Sequence, residues 1–267
     1  CMDDHADNYD SNANIDDGSC DYSSRINGDY ALYFVDTDDV YINMIDDFNL
    51  GMDSYTISGQ FLIEDVSKST QTIFNSVPHL GIELNFNYSN GGRMYYLVGE
   101  EPHGWPIAEF GEKTSWVNNQ WYSFTIVKNH DHYQFFIDGF LDYEDNFSAS
   151  NHYVDFSLGE ASYNGGQENM TGKLDNMTIW SRALSNEEIQ NLIVSNPTGD
   201  EESLVGFWRF DNGADNILYD HSGNHNHGTL YGAAWVLGGC TDDLACNYNE
   251  SADFDDGSCE YSCHDNG

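Results

Sequence analysis

Basic residues are scarce in this 267-residue chain: 8 Lys and Arg stand against 46 Asp and Glu, for a formal charge of −38. An acidic excess of that size repels a phosphate backbone, so no nucleic-acid partner is expected. Long apolar runs are missing too. No stretch approaches the roughly eighteen hydrophobic residues of a membrane helix, and no basic segment followed by an apolar one opens the chain, so neither a membrane span nor a signal peptide is expected within it. Cysteine is absent from residues 21 to 239, so the long middle must fold without staples. Against these absences, 39% hydrophobic and 15% aromatic residues supply the apolar area of a packed core, which separates the chain from disordered acidic sequences. Folding at this charge calls for a halophilic solvation shell or for bound divalent cations, and the placement of the acids distinguishes the two.

The cysteines sit at the two ends, Cys1 and Cys20 at one, Cys240, Cys246, Cys259 and Cys263 at the other. An even set confined to small end segments points to disulfides and an oxidising setting, extracellular or at the cell surface. Zinc is the competing reading, but C-x-x-C is absent and the neighbours are Asp and Asn, hard ligands suited to calcium.

The two ends are copies of one another. Cys1 to Tyr22 and Cys240 to Tyr261 align without a gap, sharing both cysteines, an Asp-Asp pair, Asn-Tyr and a terminal D-D-G-S-C. Asp-Asp-Gly-Ser places carboxylates beside a glycine able to take positive φ, so a sharp turn can gather several oxygens. The candidate calcium ligands are Asp3, Asp4, Asn8, Asp16 and Asp17, and in the second copy Asp242, Asp243, Asn247, Asp255 and Asp256. The alternative is an acidic turn stapled by one bridge, its carboxylates merely solvated. Repeat symmetry pairs Cys1 with Cys20 and Cys240 with Cys259, leaving Cys246 and Cys263 for each other. About twenty-two residues cannot build a core, so the staple is close to mandatory. The pattern resembles the Cys-flanked D-x-x-A-x-N-Y…D-D-G-S-C repeats of large secreted and surface proteins of marine microbes, and more loosely the calcium-wrapping thrombospondin type 3 repeats. It implies four segments: a repeat over 1–24, a central domain over 25–238, a second repeat over 239–263, and the start of a next unit over 264–267.

The central domain reads as short alternating runs between Gly, Asn and Asp, the pattern of an antiparallel β-sandwich. Strands are expected over 31–34, 40–44, 55–64, 71–74, 81–86, 93–98, 121–127, 132–137, 154–158, 173–180 and 204–210. One helix is expected, opened by the capping box Ser185-Asn186-Glu187-Glu188 and carrying Ile189, Leu192 and Ile193 on one face.

Three motifs in order, W-Y-S-F-T-I-V…Y-Q-F-F-I-D-G (Trp121 to Gly139), G-K-L-D-N-M-T-I-W-S-R-A-L-S-N-E-E-I (Gly172 to Ile189) and L-V-G-F-W-R-F-D…D-H-S-G-N-H-N-H-G-T-L (Leu204 to Leu230), resemble the laminin G type 3 branch of the concanavalin A-like jelly rolls. The resemblance implies an all-β, two-sheet jelly-roll sandwich with one short helix, and core positions for Trp180, Trp208 and Trp235. Many family members hold calcium between an N-terminal F-D-G-x-D-D-Y turn and the D-x-S-G-N loop. Carried over, the matching positions are Asp38, Asp39, Asp220 and Asn224, with Asn226 a weaker addition. This chain departs from the turn: Phe34-Val35-Asp36-Thr37-Asp38-Asp39-Val40-Tyr41 lacks the first Asp and the Gly. His221, His225 and His227 alternate in the loop, but turn-forming neighbours favour exposed histidines over a transition-metal site.

Catalysis is not expected. The fold class includes glycosidases, yet no E-x-D-x-x-E strand pair is present, nor a G-x-S-x-G elbow or H-E-x-x-H. Two functions remain. The internal repeat favours a unit of an extracellular, calcium-stabilised structural or adhesive protein, a stalk, filament or adhesin whose partners are neighbouring copies of the same unit. The alternative is a calcium-dependent lectin-like module for a polysaccharide or cell-surface glycan, with Trp105 and Trp116 in loops outside the motifs as candidate sugar platforms.

Overall fold

Alternation decides the architecture. Along Ser54–Ile63, Tyr55, Ile57, Phe61 and Ile63 turn to one side and join the main core, while Thr56 and Ser58 turn to the other. Along Trp121–Asn129, Tyr122, Phe124 and Ile126 do the same. The structure, a computed structural model, describes residues 1–26, 28–35, 39–42, 53–68, 70–77, 82–87, 92–98, 107–147, 155–159 and 169–262. In chain order its strands are β1 (Tyr30–Phe34), β2 (Asp39–Ile42), β3 (Ser54–Ile63), β4 (Thr70–Val77), β5 (Ile82–Asn87), β6 (Arg93–Val98), β7 (Ile107–Phe110), β8 (Trp121–Asn129), β9 (His132–Ile137), β10 (Phe140–Asn146), β11 (Asp155–Leu158), β12 (Gly172–Trp180), β13 (Leu204–Trp208), β14 (Ile217–Leu218), β15 (Gly228–Tyr231), β16 (Ala234–Gly239) and β17 (Phe254–Asp255).

They form two sheets. One runs β10-β9-β8-β3-β12-β1-β16-β17, with β13 also on β12; the other runs β14-β15-β2-β11-β4-β5-β6-β7. Pairing is antiparallel except between β16 and β17. The main core lies between the sheets and holds Phe34, Phe61, Phe74, Phe86, Phe135, Phe156 and Trp208, each at most 1% exposed. At one edge Tyr96 of β6 donates to Asp142 of β10 across the sandwich (2.6 Å), and the second Asp142 oxygen accepts from the Lys113 amide (2.7 Å).

Helix α1 (Asn186–Val194) forms where the capping box predicts: Ser185 Oγ accepts from the Glu188 amide, and the Glu188 carboxylate accepts from the Ser185 amide. It buries Ile189 against the outer face of the first sheet, in a second cluster with Val127, Phe136, Trp180, Leu184, Leu204 and Phe207. The three tryptophans therefore divide. Trp208 fills the main core, Trp180 lies under the helix on the opposite face, and Trp235 is only partly buried, its indole N–H donating to the Asp215 carbonyl. Gly206 explains how the Trp208 ring fits, since a Cβ there would stand 2.2 Å from the ring. Strands β7, β10 and β14 to β17 carry no expectation from the sequence. β10 shows why: its burial pattern leaves Phe140 76% and Leu141 46% exposed, so it lacks the usual alternation. Among the described residues no helix is long and apolar enough to cross a membrane.

Candidate functional site

Each acidic repeat is a small body wired by its own side chains. Disulfides join Cys1 to Cys20 and Cys240 to Cys259, each with a Cα–Cα distance of 4.7 Å, the pairing that repeat symmetry implies. Cys246 is disulfide-bonded as well, while Cys263, its expected partner, lies outside the described residues. Asn8 bridges the Ser19 carbonyl and the Asp21 amide, and Asn247 bridges the Ser258 carbonyl and the Glu260 amide. The D-D-G-S segments make Asx turns: Asp16 accepts from the Gly18 amide and Asp17 from Ser19, as Asp255 does from Gly257 and Asp256 from Ser258. Gly18 (φ 71°) and Gly257 (φ 84°) supply the left-handed backbone these turns need.

The first repeat is seated on the sandwich, and Asp3 is the point of contact. Its Oδ2 accepts from Tyr22 Oη (2.5 Å), His227 Nε2 (2.6 Å) and His225 Nδ1 (3.0 Å), and its Oδ1 from the His5 amide (2.9 Å). Burial alone would raise this carboxyl, but the bonds from Tyr22, His227, His5 and His225 outweigh it and hold the group well below the carboxylate range. Around it Ala6 and Tyr22 pack on Tyr219, and the His5 ring lies edge-on to His227 at 5.3 Å.

The loop after β14 is held from the sandwich side by Asp220, which is fully buried. Its Oδ1 accepts from the amides of Phe207 (2.8 Å) and Ser222 (2.9 Å), its Oδ2 from Ser222 Oγ (2.9 Å) and the Asn226 amide (3.0 Å). The Asp220 amide in turn donates to His227 Nδ1 (2.9 Å). That lone pair being engaged, the His227 proton sits on Nε2 and points at Asp3. His225 lies between two carboxylates, its Nδ1 3.0 Å from Asp3 Oδ2 and its Nε2 2.9 Å from Asp16 Oδ2.

These bonds bear on which metal the residues could hold. The ligand atoms of Asp3, His225 and His227 lie within 4.8 Å of one another, as do those of Asp16, Cys20 and His225, and of Asp3, Asp4 and His5. Yet Cys20 is in a disulfide and His227 Nε2 is a donor, so the two groupings that contain them form a hydrogen-bonded clasp and do not fit a transition metal. In the sandwich loop, four donors fill the lone-pair positions of Asp220, and Asn224 Nδ2 donates to the Leu204 and Val205 carbonyls (3.0 and 3.1 Å). Asp220 thus does not fit a calcium ligand. Asp38 lies outside the described residues, and Asp39 opens β2 in register with Tyr231. In the repeats, Asp4, Asp17, Asp243 and Asp255 are exposed, whereas Asp242 accepts from the Leu244 amide and from Tyr261 Oη. The exposed carboxylates suit calcium by chemistry.

Trp105 also lies outside the described residues. Trp116 is half-buried: its indole N–H donates to the Gly92 carbonyl (2.7 Å) and its ring packs on Phe61, Phe86 and Tyr122. The Lys113 ammonium lies 5.1 Å from the centre of the same ring, so Trp116 is engaged with both the core and a charged neighbour. The histidines depart from the expectation of exposure, since the side chains of His225 and His227 are 21% and 13% exposed. The sequence did not identify Tyr22 as a contact residue, nor the joining of Asp3 to the loop. D-x-S-G-N and the alternating histidines were visible, but nothing local couples them to a residue more than two hundred positions away.

An antiparallel two-sheet sandwich with disulfide-stapled repeats on its ends defines the class. Residues 9–190 match the laminin G type 3 family, described as the concanavalin A-like lectin/glucanases superfamily, and the chain belongs to that family. Among solved structures it is similar to a candidate carbohydrate-binding protein from Bacteroides ovatus, with a TM-score of 0.64 and 14% identity over 79% of this chain; it spans 60% of that protein's length. It is also similar to a heptameric SAP-like pentraxin from Limulus polyphemus, with a TM-score of 0.50 and 12% identity, covering 62% of this chain and 82% of that one. At these identities the likeness shows the fold alone. No curated protein sequence matches the chain.

Two outcomes test the clasp. Asp3→Ala leaves Tyr22, His225 and His227 without their acceptor and is expected to cost about 2–3 kcal/mol in urea unfolding, with faster amide exchange over residues 1–22; a variant as stable as wild type would show that the contact adds nothing. His221, whose ring meets Tyr22 and Phe207, is pulled down to about 4 by burial, with Arg209 and His227 adding to the effect. The unfolded ring binds protons more readily, so the contribution of His221 is complete above its unfolded value and is lost as pH falls toward 4. Between pH 7 and pH 5 wild type should lose about 1–2 kcal/mol more than His221→Phe, and parallel stability curves for the two would refute the assignment.

Proposed function

We propose that the chain is a non-catalytic structural and adhesive repeat unit of the cell exterior, in which a laminin G-like sandwich is held in a fixed pose by its flanking repeats and the exposed repeat carboxylates take calcium. The observation that carries this reading is the clasp: a repeat acting as a loose spacer has no reason to bury Asp3 and Tyr22 against the loop of the next domain. Disulfides at both ends support an oxidising location outside the cell. The partners in this reading are further copies of the unit. A second reading, binding of a polysaccharide or cell-surface glycan, is favoured by the likeness to the Bacteroides ovatus protein.

Calcium binding to the native state alone raises stability by RT ln(1 + [Ca]/Kd), about 2.7 kcal/mol at a hundredfold excess over Kd. Thermal melts of the full chain should therefore shift upward in millimolar calcium and return with chelator, and amide exchange in residues 1–22 and 240–262 should slow before that of the sandwich changes. An unchanged midpoint removes calcium from the proposal. For the second reading, the full chain on a broad glycan array is expected to retain a defined polysaccharide class, and a blank array removes it.

A further inference from the structure

The two repeats are the same body held by different faces. Their inner bonds correspond one for one: Asp7 amide to Asp21 carbonyl (2.7 Å) and Cys246 amide to Glu260 carbonyl (2.8 Å), Asp10 amide to Cys1 carbonyl (3.2 Å) and Asn249 amide to Cys240 carbonyl (2.9 Å), Tyr22 to Asp3 (2.5 Å) and Tyr261 to Asp242 (2.7 Å). Positions can thus be compared across the copies by name.

The first repeat meets the sandwich that follows it through Asp3, His5, Asp16 and Tyr22. The second meets the sandwich that precedes it through an unrelated set. Its β17 runs parallel to β16, and the Asp253 amide and carboxylate bond the Leu237 carbonyl (2.7 Å) and amide (2.8 Å). The Phe254 ring lies 5.9 Å from Trp121 and beneath the Lys173 ammonium at 5.4 Å.

What each copy uses, the other leaves open. Tyr22 is 5% exposed, but Tyr261 at its position is 64% exposed, and Leu244, at the position of His5, is 81% exposed. In the opposite sense Phe254 is half-buried, while Ile15 at its position is 78% exposed. Three of the four residues named at the first joint recur on the open face, Asp242 for Asp3, Asp255 for Asp16 and Tyr261 for Tyr22, while Leu244 stands where His5 meets Tyr219.

We infer that the open face of the second repeat, Asp242, Leu244, Asp255 and Tyr261, is a docking surface for the Tyr219–His227 loop of a second copy of this sandwich, so that one repeat is gripped by a sandwich on each side. The charge match is the one the first repeat displays: Asp242 accepts from His227 Nε2 and His225 Nδ1, and Asp255 meets His225 Nε2. The inference deepens the repeat-unit reading and rests on it in that a second sandwich is the occupant.

The test is a tandem chain in which residues 1–263 are followed directly by residues 25–267, which keeps the register of the repeat and all of its cysteines. Amides of residues 242–248 and 261 in the linking repeat should exchange at least tenfold more slowly than in the single chain. His225→Ala with His227→Ala in the second copy alone, which leaves the linking repeat untouched, should abolish that protection, and Asp242→Ala should do the same. Linking-repeat amides that exchange as fast as in the single chain, or protection that survives loss of both second-copy histidines, would overturn the docking. Because the calcium shift of the single chain also draws on exposed carboxylates outside this face, Asp4, Asp17 and Asp243, a negative tandem result with a positive calcium shift would reject the docking and leave the repeat-unit reading standing.

Discussion

The buried carboxylate of Asp220 is the constraint on which the joint depends. A charge taken fully out of water is costly unless its lone pairs are met, and here two backbone amides of the loop, one of β13 and a serine hydroxyl meet them. Those bonds fix the path of residues 220–226, and the Trp208 indole, deep in the main core, fastens the same loop by donating to the Asn226 carbonyl (2.7 Å). The Asp220 amide then sets the proton of His227, and His227 presents it to Asp3. A single line of hydrogen bonds thus runs from core tryptophan to loop to repeat, and the pose of the repeat follows from the packing of the sandwich.

The formal charge of −38 gives way to two populations of acids with opposite physics. In the repeats, Asp10, Asp16 and Asp17 are held below the usual carboxylate range, chiefly by amides and hydroxyls within a few residues: Asn12 for Asp10, Gly18 for Asp16 and Ser19 for Asp17. Each Asx turn answers its own negative charge locally, so the crowding is less costly than the count suggests. Beneath the second repeat the reverse holds. Burial raises Asp175 and Asp211, and it pushes Asp29 up to about 6 with help from the hydrogen bond to Asp256. Burial there makes ionisation harder, so it opposes the build-up of charge where charge would be hardest to solvate.

Much of the sandwich was legible because strands buried on one face leave a period of two, and the helix was legible because Ser185 and Glu188 form a cap that works within four residues. The repeat was legible by simple self-comparison. The unread strands are those whose stability is borrowed: β14 is two residues long, β17 pairs only after the repeat folds back, and β10 exposes its apolar residues. The clasp was illegible for a different reason. Asp3 and Tyr22 look like any acidic turn, and the histidines like any polar loop, until folding joins them. The D-x-S-G-N loop shows what motif transfer leaves out: the Asp220 oxygens that could face a cation accept from the loop itself, and Asn224 uses its amide nitrogen to hold the Leu204 carbonyl.

The contrast between the two joints follows from size. About twenty-two residues cannot form a core, and in the first repeat only Ala6 and Tyr22, with Tyr219 of the sandwich, form a buried cluster. Apolar contact of that extent fixes no orientation, because it is non-directional. Orientation has to come from groups with geometry, and the chain uses two kinds: side-chain hydrogen bonds onto one carboxylate at the first joint, and a backbone ladder at the second. A ladder edge cannot replace an imidazole pair. If a second sandwich docks as inferred, a body with these two faces would accept it in only one polarity, and the contacts would be heterologous and propagate head to tail, whereas a self-complementary patch would close into a dimer.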